Sequence, residues 1–300
     1  MSQIALLGAL EIGLVYGLVA LGVFLSFRVL SFPDLTVDGS FPLGAAVAAS
    51  AIVAGIDPYL ATALAIVAGA LAGLVTAVLN VRFRILHLLA SILTMIALFS
   101  INLRIMGRPN IALIAEPTVL SPFEGLGLAN PVLKPLLVGA LVLAVAALLA
   151  RFLSSDYGLG MRATGANPRM ARAQGIETGR TIYVGMALSN AMVALAGALF
   201  AQTNGFADIT IGTGTIVVGL AAVIVGETIL PARRIAVVIL ACVLGSILYR
   251  VAIAAALNAD VLGLEASDLN LVTAVLVGLA LILPGARNPI KALVVRRAQA

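Results

Sequence analysis

Long apolar stretches recur along the whole chain, and short segments between them carry most of the polar and charged residues. A stretch of about 20 apolar residues is long enough to cross a bilayer hydrocarbon core of about 30 Å. The pattern therefore predicts an all-α, polytopic membrane protein with about nine transmembrane helices, within a range of about eight to ten. The predicted spans are 4–27, 40–56, 59–80, 86–107, 133–153, 181–203, 214–230, 235–257 and 269–285.

The composition also favours a membrane setting over a soluble one. Hydrophobic residues make up 62% of the chain and charged residues 10%, whereas a soluble domain is about half apolar and about a quarter charged. The formal net charge is +5, but the basic residues lie in short segments between spans and form no aromatic-interleaved patch of the kind that single-strand binders use, so nucleic-acid binding is not predicted. The lone Cys242 lies inside an apolar run and is predicted to be a small buried side chain.

The distribution of basic residues predicts the orientation of the chain. Cytoplasmic loops of membrane proteins are enriched in Lys and Arg. When the long loop 154–180 is placed in the cytoplasm, alternation of the spans puts most basic residues on the same side, and the N-terminus lies outside and the C-terminus inside. The basic residues on the predicted inner side are Arg28, Arg82, Arg84, Arg151, Arg162, Arg169, Arg172, Arg180, Arg233, Arg234, Arg287, Lys291, Arg296 and Arg297.

An internal repeat divides the chain into two related parts. Residues 32–38 read FPDLTVD and residues 206–212 read FADITIG. The first copy follows span one on the predicted inner side, and the second follows span six on the predicted outer side, so the halves are predicted to be inverted. A single domain, 1–300, would then hold a first half at 4–107, a connector span at 133–153, a cytoplasmic loop at 154–180 and a second half at 181–285. Inverted repeats are typical of transporters that open alternately to each side.

The first copy of the repeat interrupts the helical pattern with two prolines and a glycine between residues 32 and 42. Irregular backbone at membrane depth is tolerated where it is buried in protein or lines a wet cavity. Two interpretations stay open: Asp34 and Asp38 cap the following helix, or they face a translocation pathway. The candidate pathway residues are Asp34, Thr36, Asp38, Ser40, Thr94, Asn102, Asp208 and Thr210.

Other polar residues inside the spans are predicted mainly to form hydrogen bonds between helices. Asn190 is a further pore candidate. Glu227 lies near the inner end of span seven, close in sequence to Arg233 and Arg234, so an ion pair with these arginines is predicted. The only histidine, His87, is interpreted as a residue at headgroup level.

The cytoplasmic loop contains a short, sharply bounded helix. Asn167 is a good N-cap, Pro168 suits the first helical position, and Gly175 suits a left-handed helix end. The predicted helix, 168–174, has about two turns and is too short to be stable alone in water, so it needs a docking surface. The membrane surface is one option, and the compact, glycine-bounded shape favours a partner protein.

Two motifs carry a resemblance to a known family. Arg162-Ala163-Thr164-Gly165-Ala166-Asn167-Pro168, followed by Ala171 and by Gly175-Ile176, resembles the coupling loop of permease subunits of bacterial ABC importers in the branched-chain amino acid and sugar permease superfamily. The segment FPDLTVDGSFPLGA at 32–45 is similar to the subfamily of tryptophan or tyrosine transport permeases. The likeness extends over nearly the whole chain.

The resemblance implies a bacterial inner-membrane importer built from several subunits. The permease would form a dimer with a second copy of itself and bind two cytoplasmic ABC ATPase subunits and a periplasmic or lipid-anchored solute-binding protein. The resemblance implies that the short helix docks in a groove of the ATPase. The residues carried over to this coupling role are Arg162, Ala163, Thr164, Gly165, Asn167, Pro168, Arg169, Ala171, Arg172 and Gly175. Branched-chain amino acid permeases have an Asn-Phe-Ala-His-Gly-like stretch where this chain has the Asp34 and Asp38 segment, so their substrate does not carry over.

The function expected from these features is inward transport of a small solute by alternating access, with an amino acid as one open identity. No glycine-rich phosphate loop ending in Lys-Ser or Lys-Thr occurs, so this chain is expected to bind no cofactor, and ATP and Mg are expected on the partner ATPase. An ion-gradient-driven secondary transporter is the alternative. A membrane-embedded enzyme is disfavoured, since the sequence has a single histidine and no clustered metal ligands.

Overall fold

Helices form almost all of the described structure. The computed structural model describes residues 3–114, 116–126, 130–232 and 234–257, with positions 275 and 278. The helices are α1 (Gln3–Val23), α2 (Val37–Val53), α3 (Pro58–Val81), α4 (His87–Met106), α5 (Asn130–Leu153), α6 (Asp156–Ala166), α7 (Pro168–Ala173), α8 (Thr178–Asn204), α9 (Thr215–Ile229) and α10 (Ile235–Leu257). A π-helical turn, Phe24–Val29, extends α1, and a 3₁₀ turn spans Ser121–Leu126. Strands β1 (Asn110–Ala112) and β2 (Phe206–Asp208) pair antiparallel.

Eight of the predicted spans coincide with helices, but only six of these helices are long and apolar enough to cross a membrane, among the residues that the structure describes. The exceptions are α2, with 17 residues, and α9, with 15. The predicted ninth span, 269–285, lies outside the described residues apart from 275 and 278, so the count of nine stays a prediction.

The two short helices begin inside the bundle rather than at its surface. Asp34, just before α2, contacts Asn190, which lies about 18 Å from the start of the roughly 40 Å long α8 at a rise of about 1.5 Å per residue. The chain therefore folds back to mid-depth before α2 begins. Asp38, in the first turn of α2, contacts the backbone of Gly214 and Ile216 at the start of α9. The N-termini of α2 and α9 thus meet within the bundle.

The centre of the bundle is built on α1 and α8, the most buried of the long helices. Helix α3 packs along α8 and α10 packs along α1, while α2 lies between α3, α4 and α8, and α9 lies between α1 and α10. Gly44 of α2 and Gly197 of α8 permit the close approach of these helices, because a Cβ at either would overlap a backbone carbonyl oxygen of the other helix. Small residues at such crossings are the usual basis of helix packing in membranes.

The outer helices expose apolar side chains, as expected for surfaces solvated by lipid. On α3, Leu60, Leu64, Val67 and Leu71 are all exposed. A continuous apolar face of this kind would be unfavourable in water and is the ordinary exterior of a multi-pass membrane protein. Cys242 is fully buried in α10, as predicted.

The segment 154–180 was predicted as a loop with one short helix, but it also contains helix α6 before α7. The glycines of α6 permit close packing. Gly158 lies against the backbone of Phe152 and Leu153, and Gly165 lies against the carbonyl of Val29, where no Cβ would fit. The pairing of β1 with β2 was also not predicted.

Candidate functional site

A fully buried polar network joins the segment before α2 to α3 and α8. Asp34 accepts a hydrogen bond at Oδ1 from the N–H of Thr36 (2.9 Å) and at Oδ2 from Asn190 Nδ2 (2.8 Å). The hydroxyl of Ser40 donates to Asn190 Oδ1 (2.7 Å). The hydroxyl oxygens of Thr36 and Thr76 are 2.8 Å apart. We call these five residues, Asp34, Thr36, Ser40, Thr76 and Asn190, the buried polar network.

The buried polar network fixes the broken helix in place. Its three predicted pathway residues, Asp34, Thr36 and Ser40, have no solvent-exposed surface in this conformation. Their pathway role stays a prediction, and their observed contacts are structural. Asn190, at the centre of the network, satisfies both Asp34 and Ser40, which matters because an unsatisfied buried polar group costs about 1–3 kcal/mol.

Asp38 caps a helix, but not the one that follows it in sequence. Its Oδ1 accepts a hydrogen bond from Ile216 N (2.7 Å) and its Oδ2 from Gly214 N (3.3 Å), so it caps α9. Helix α2 itself begins at an N-cap residue, Thr36, that makes no side-chain capping bond. The interpretation that Asp34 and Asp38 cap the next helix was therefore wrong for both residues. A carboxylate at the N-terminus of α9 is favourable because it meets free N–H groups and the positive end of the helix dipole.

A cleft of about 400 Å³ lies between α2, α4 and the segment that follows β2. It contains three of the predicted pathway residues, Asp38, Asn102 and Thr210. No Lys, Arg or His is found among the described residues that line it. The remaining lining residues are Gly39, Pro42, Met95, Ile96, Phe99, Ser100, Ile209 and Thr213.

Asn102 is incompletely bonded within the cleft. The residue is 1% exposed, and its Nδ2 donates to the carbonyl of Gly39 at 3.2 Å. Its Oδ1 is buried without a hydrogen-bond partner among the described residues. Thr94, two turns earlier on α4, differs: it is buried and its hydroxyl donates to Ala90 O (3.1 Å), so it does not line the cleft.

The second copy of the repeated motif forms the same turn at the edge of the short sheet. Asp208 Oδ1 accepts hydrogen bonds from the N–H (2.7 Å) and the hydroxyl (2.5 Å) of Thr210, and Oδ2 accepts one from Asn110 Nδ2 (3.3 Å). Partial burial alone raises the pKa of Asp208, but these hydrogen bonds together outweigh it and hold the pKa below the usual value for Asp. Asp208 is therefore a hydrogen-bonded carboxylate at the rim of the cleft, just before the lining residue Thr210.

At the other end of the bundle, the predicted caps of the short helix are confirmed. Asn167 Oδ1 accepts hydrogen bonds from the N–H groups of Arg169 and Met170, both at 3.1 Å. Pro168 is the first residue of α7, and Gly175 has a left-handed φ of +81°. The helix ends at Ala173, one residue before the predicted end.

The pair α6–α7, which we call the α6–α7 hairpin, packs on the bundle on one side and exposes its other side. Ala171 is fully buried, Gly165 lies on Val29, and the hydroxyl of Thr181 donates to Thr164 Oγ1 (3.1 Å). The side chains that point away include Arg162, Arg169, Met170 and Arg172. Met170 is 46% exposed, an apolar side chain between two arginines.

An ion pair links the π-helical turn after α1 to the C-terminal part of α9. Arg28 binds Glu227 through two parallel contacts, Nε to Oε1 at 2.8 Å and Nη2 to Oε2 at 2.6 Å. The predicted ion pair at Glu227 therefore exists, with Arg28 as its partner. Arg234 makes no ion pair with Glu227, and Arg233 lies outside the described residues. The π-helical turn that contains Arg28 lies against α9, which brings the two side chains together.

Comparison with known proteins identifies the class. The chain matches the family described as "Branched-chain amino acid transport system / permease component" over residues 5–286. It therefore belongs to this family of transport permeases, as the resemblance implied, and it is a multi-pass membrane subunit rather than an enzyme.

Two curated relatives are similar over most of the chain. The "Tyrosine transport system permease protein" of Clostridioides difficile (strain R20291) is 36% identical over 265 residues, which cover 88% of this chain and 86% of that protein. An uncharacterized protein of Rickettsia prowazekii (strain Madrid E) is 38% identical over 204 residues, covering 68% and 70% of the two chains. The similarity to the tyrosine transport permease agrees with the subfamily that the 32–45 motif indicated.

A solved structure shares the fold. "PsaBC from Streptococcus pneumoniae in complex with Fab" matches with a TM-score of 0.52 and 15% sequence identity, covering 93% of this chain and 90% of that chain. At this identity the match establishes the overall helical architecture alone.

Proposed function

We propose that this chain is the membrane permease of an ABC importer that moves a small solute inward by alternating access, driven by ATP hydrolysis on separate subunits. The observation that carries the proposal is the α6–α7 hairpin, in which the capped helix α7 exposes Arg169 and Met170 while Ala171 is buried against the bundle. The enrichment of basic residues on the same side supports a cytoplasmic location for this hairpin. An amino acid is proposed as the solute because the Clostridioides difficile relative is named for tyrosine transport.

Contacts run without interruption from the hairpin to both short helices. Gly165 of α6 rests on Val29 in the π-helical turn of α1, and the adjacent Arg28 is bonded to Glu227 of α9. The opposite end of α9 is capped by Asp38 of α2, which borders the cleft. Displacement of α7 by a closing ATPase would therefore be transmitted to the cleft through rigid elements, the kind of connection that energetic coupling requires.

Exchanged packing partners support inverted halves at 4–107 and 181–285. Helix α2 packs on α8, and α9 packs on α1. After one inserted residue, Gly44 of the first half aligns with Gly219 of the second. Gly44 lies on Ala194 of α8, and Gly219 lies on Val23 of α1. A pseudo-two-fold relation of this type gives a bundle two similar conformations, open to opposite sides, as alternating access demands.

A second copy of the chain is the proposed cover of the cleft. The α4 side chains Ile96 and Phe99 are exposed beside it, yet the same cleft contains Asp38 and Asn102. Polar groups at membrane depth are unfavourable against lipid and normally face protein or water. A homodimer in the bacterial inner membrane, with N-termini outside, would enclose the two clefts, and a periplasmic or lipid-anchored binding protein would deliver solute from the side of β1 and β2. ATP and Mg would be bound by the ATPase partners.

The exposed tip of α7 provides the test. Met170→Asp places a charge on the exposed apolar side chain of α7 and leaves the buried Ala171 unchanged. We expect ATP-dependent uptake of L-tyrosine, measured in cells that coexpress the ATPase, to fall at least about tenfold. This is the size of an interface hot-spot effect. Met170→Leu is the matched control, because it keeps an apolar side chain of similar volume at the same position and should leave uptake near the wild-type rate.

Two outcomes would contradict the proposal. Unchanged uptake by Met170→Asp would remove the coupling role of α7. Uptake that continues without the ATPase and follows a proton or sodium gradient would favour the secondary transporter instead.

A further inference from the structure

We propose that the cleft between α2 and α4 binds the transported solute through its hydrogen-bond-donating end, a protonated amino group, which bonds to Asn102 Oδ1 beside the Asp38 carboxylate. This inference rests on the proposed transport function and adds the chemical class of the solute and the residues that recognise it.

The orientation of the Asn102 amide determines whether its unpaired atom in the cleft is a hydrogen-bond donor or an acceptor. Nδ2 donates to the carbonyl oxygen of Gly39, and rotating the amide by 180° would place Oδ1 against that carbonyl, oxygen against oxygen. The amide is therefore fixed with its nitrogen toward Gly39. The atom without a partner among the described residues is therefore the acceptor Oδ1. A hydrogen-bond donor from a bound solute would satisfy it.

The approach of α4 to α2 fixes this orientation further. A Cβ at Gly39 would lie 2.9 Å from Leu98 Cδ1 and 3.3 Å from Met95 Cα. Because glycine permits this contact, the Gly39 carbonyl remains within reach of Asn102. The acceptor is therefore held in position before any solute arrives, which lowers the cost of binding.

Two further polar groups of the cleft, Asp38 and Thr210, act as acceptors, while the hydroxyls of Ser100 and Thr213 can donate or accept. Both oxygens of Asp38 accept backbone N–H bonds from α9 and retain further lone pairs. Thr210 donates its hydroxyl proton to Asp208 at 2.5 Å, which leaves its oxygen as an acceptor. An ammonium group offers three donors and a positive charge and suits this set. A carboxylate or phosphate would face Asp38 and Asn102 Oδ1 without a cationic side chain to offset them.

Most of the remaining lining is apolar. Met95, Ile96 and Phe99 lie on α4, Pro42 lies on α2, and Ile209 follows β2. A volume of about 400 Å³ is at the lower end of the range for small-molecule sites, about 300–1,000 Å³. The cleft therefore suits a small amine with an apolar body.

Binding of matched probes to the purified full-length chain in nanodiscs tests this inference, with isothermal titration calorimetry as the readout. Tyramine carries the amino group without a carboxylate, and 3-(4-hydroxyphenyl)propionate carries the carboxylate without an amino group. We expect tyramine to bind at least about tenfold more tightly than the acid, the size of one charge-assisted hydrogen bond.

Two variants locate the binding. Asn102→Leu removes the acceptor at similar volume and should weaken tyramine binding at least about tenfold. Asp38→Asn keeps an oxygen for capping α9 but removes the charge, and should weaken tyramine binding while leaving the weak binding of the acid unchanged or stronger. Asn204→Leu applies the same change to an exposed asparagine outside the cleft, and its tyramine affinity should equal that of the wild type.

Equal or tighter binding of the acid, no binding of tyramine, or unchanged tyramine affinity in Asn102→Leu with wild-type thermal stability would each overturn the inference. ATP-dependent L-tyrosine uptake separates this failure from failure of the proposed function. If uptake depends on the ATPase but its KM is unchanged in Asn102→Leu, only the cleft assignment is lost. Uptake independent of the ATPase would remove the transport proposal itself.

Discussion

The two Asp-x-Thr turns show how one local motif serves different purposes in two surroundings. In both, the aspartate Oδ1 accepts a hydrogen bond from the threonine N–H, at 2.9 Å for Asp34 and Thr36 and 2.7 Å for Asp208 and Thr210. Asp34 is fully buried and bonded to Asn190, whereas Asp208 lies at the rim. The sequence sets the turn, and the packing around it decides whether the turn supports the bundle or borders its opening.

The largest expected difference between the two turns comes from removing the amide partner of Asp34. Asn190→Leu leaves a buried carboxylate without its side-chain donor and Ser40 without its acceptor, and should lower the free energy of unfolding by about 3 kcal/mol. Asn204→Leu, an exposed change on the same helix, should cost less than about 0.5 kcal/mol. Denaturant unfolding in detergent measures both, and a difference under about 1 kcal/mol would show that the buried polar network contributes little.

The packing around two glycines, Gly44 and Gly219, extends this comparison. At Gly44 a Cβ would overlap the carbonyl oxygen of Ala194, whereas at Gly219 it would meet a side-chain methyl, Val23 Cγ2, at 2.8 Å. A side chain can rotate and a backbone carbonyl cannot, so Gly44→Ala should destabilise by about 2–3 kcal/mol and Gly219→Ala by about 1 kcal/mol or less. Thermal unfolding of the two variants tests this order. Equal destabilisation would mean that the halves are packed alike.

The smallest expected effect concerns the exposed turn. Asp208→Asn removes a surface carboxylate and should cost less than about 1 kcal/mol at neutral pH. Because hydrogen bonds lower the pKa of Asp208, its contribution is present above the ordinary Asp pKa of about 4 and is lost as the pH falls through the lowered folded-state value. The stability difference between wild type and variant, followed by unfolding from pH 7 downward, should therefore shrink in acid. A constant difference would contradict the assignment.

Much of the helical layout follows from the apolar pattern alone. The spans were predictable because lipid demands long apolar helices, and the caps Asn167 and Gly175 were predictable because they act within a few residues. Features that depend on contacts between distant parts of the chain were not predictable. That Asp38 caps α9 and that Arg28 binds Glu227 depends on contacts between residues far apart in the chain. Sequence proximity favoured Arg233 and Arg234, whereas the observed partner of Glu227, Arg28, lies 199 residues away.

The candidate site was predictable only in part, for the same reason. Polar residues at membrane depth identified Asp38, Asn102 and Thr210, which line the cleft. The sequence did not separate them from Asp34 and Ser40, which are enclosed. Helix α6 was not predicted within the loop 154–180, because its glycines, whose missing side chains permit close packing, are unfavourable in an isolated helix. Composition identifies which residues are unusual, and tertiary contacts decide what each of them does.

The central claim is that the α7 tip is a cytoplasmic surface covered by a partner. Labelling of single cysteines tests this claim most directly. Cys242 is fully buried, so the wild-type background should be silent toward a membrane-impermeant maleimide. Met170→Cys should react in inside-out vesicles, lose that reactivity when the ATPase subunits are bound, and stay unreactive in right-side-out vesicles, where Ile114→Cys should react. Reaction of Met170→Cys from the outside, or equal reaction with and without the ATPase, would contradict the account.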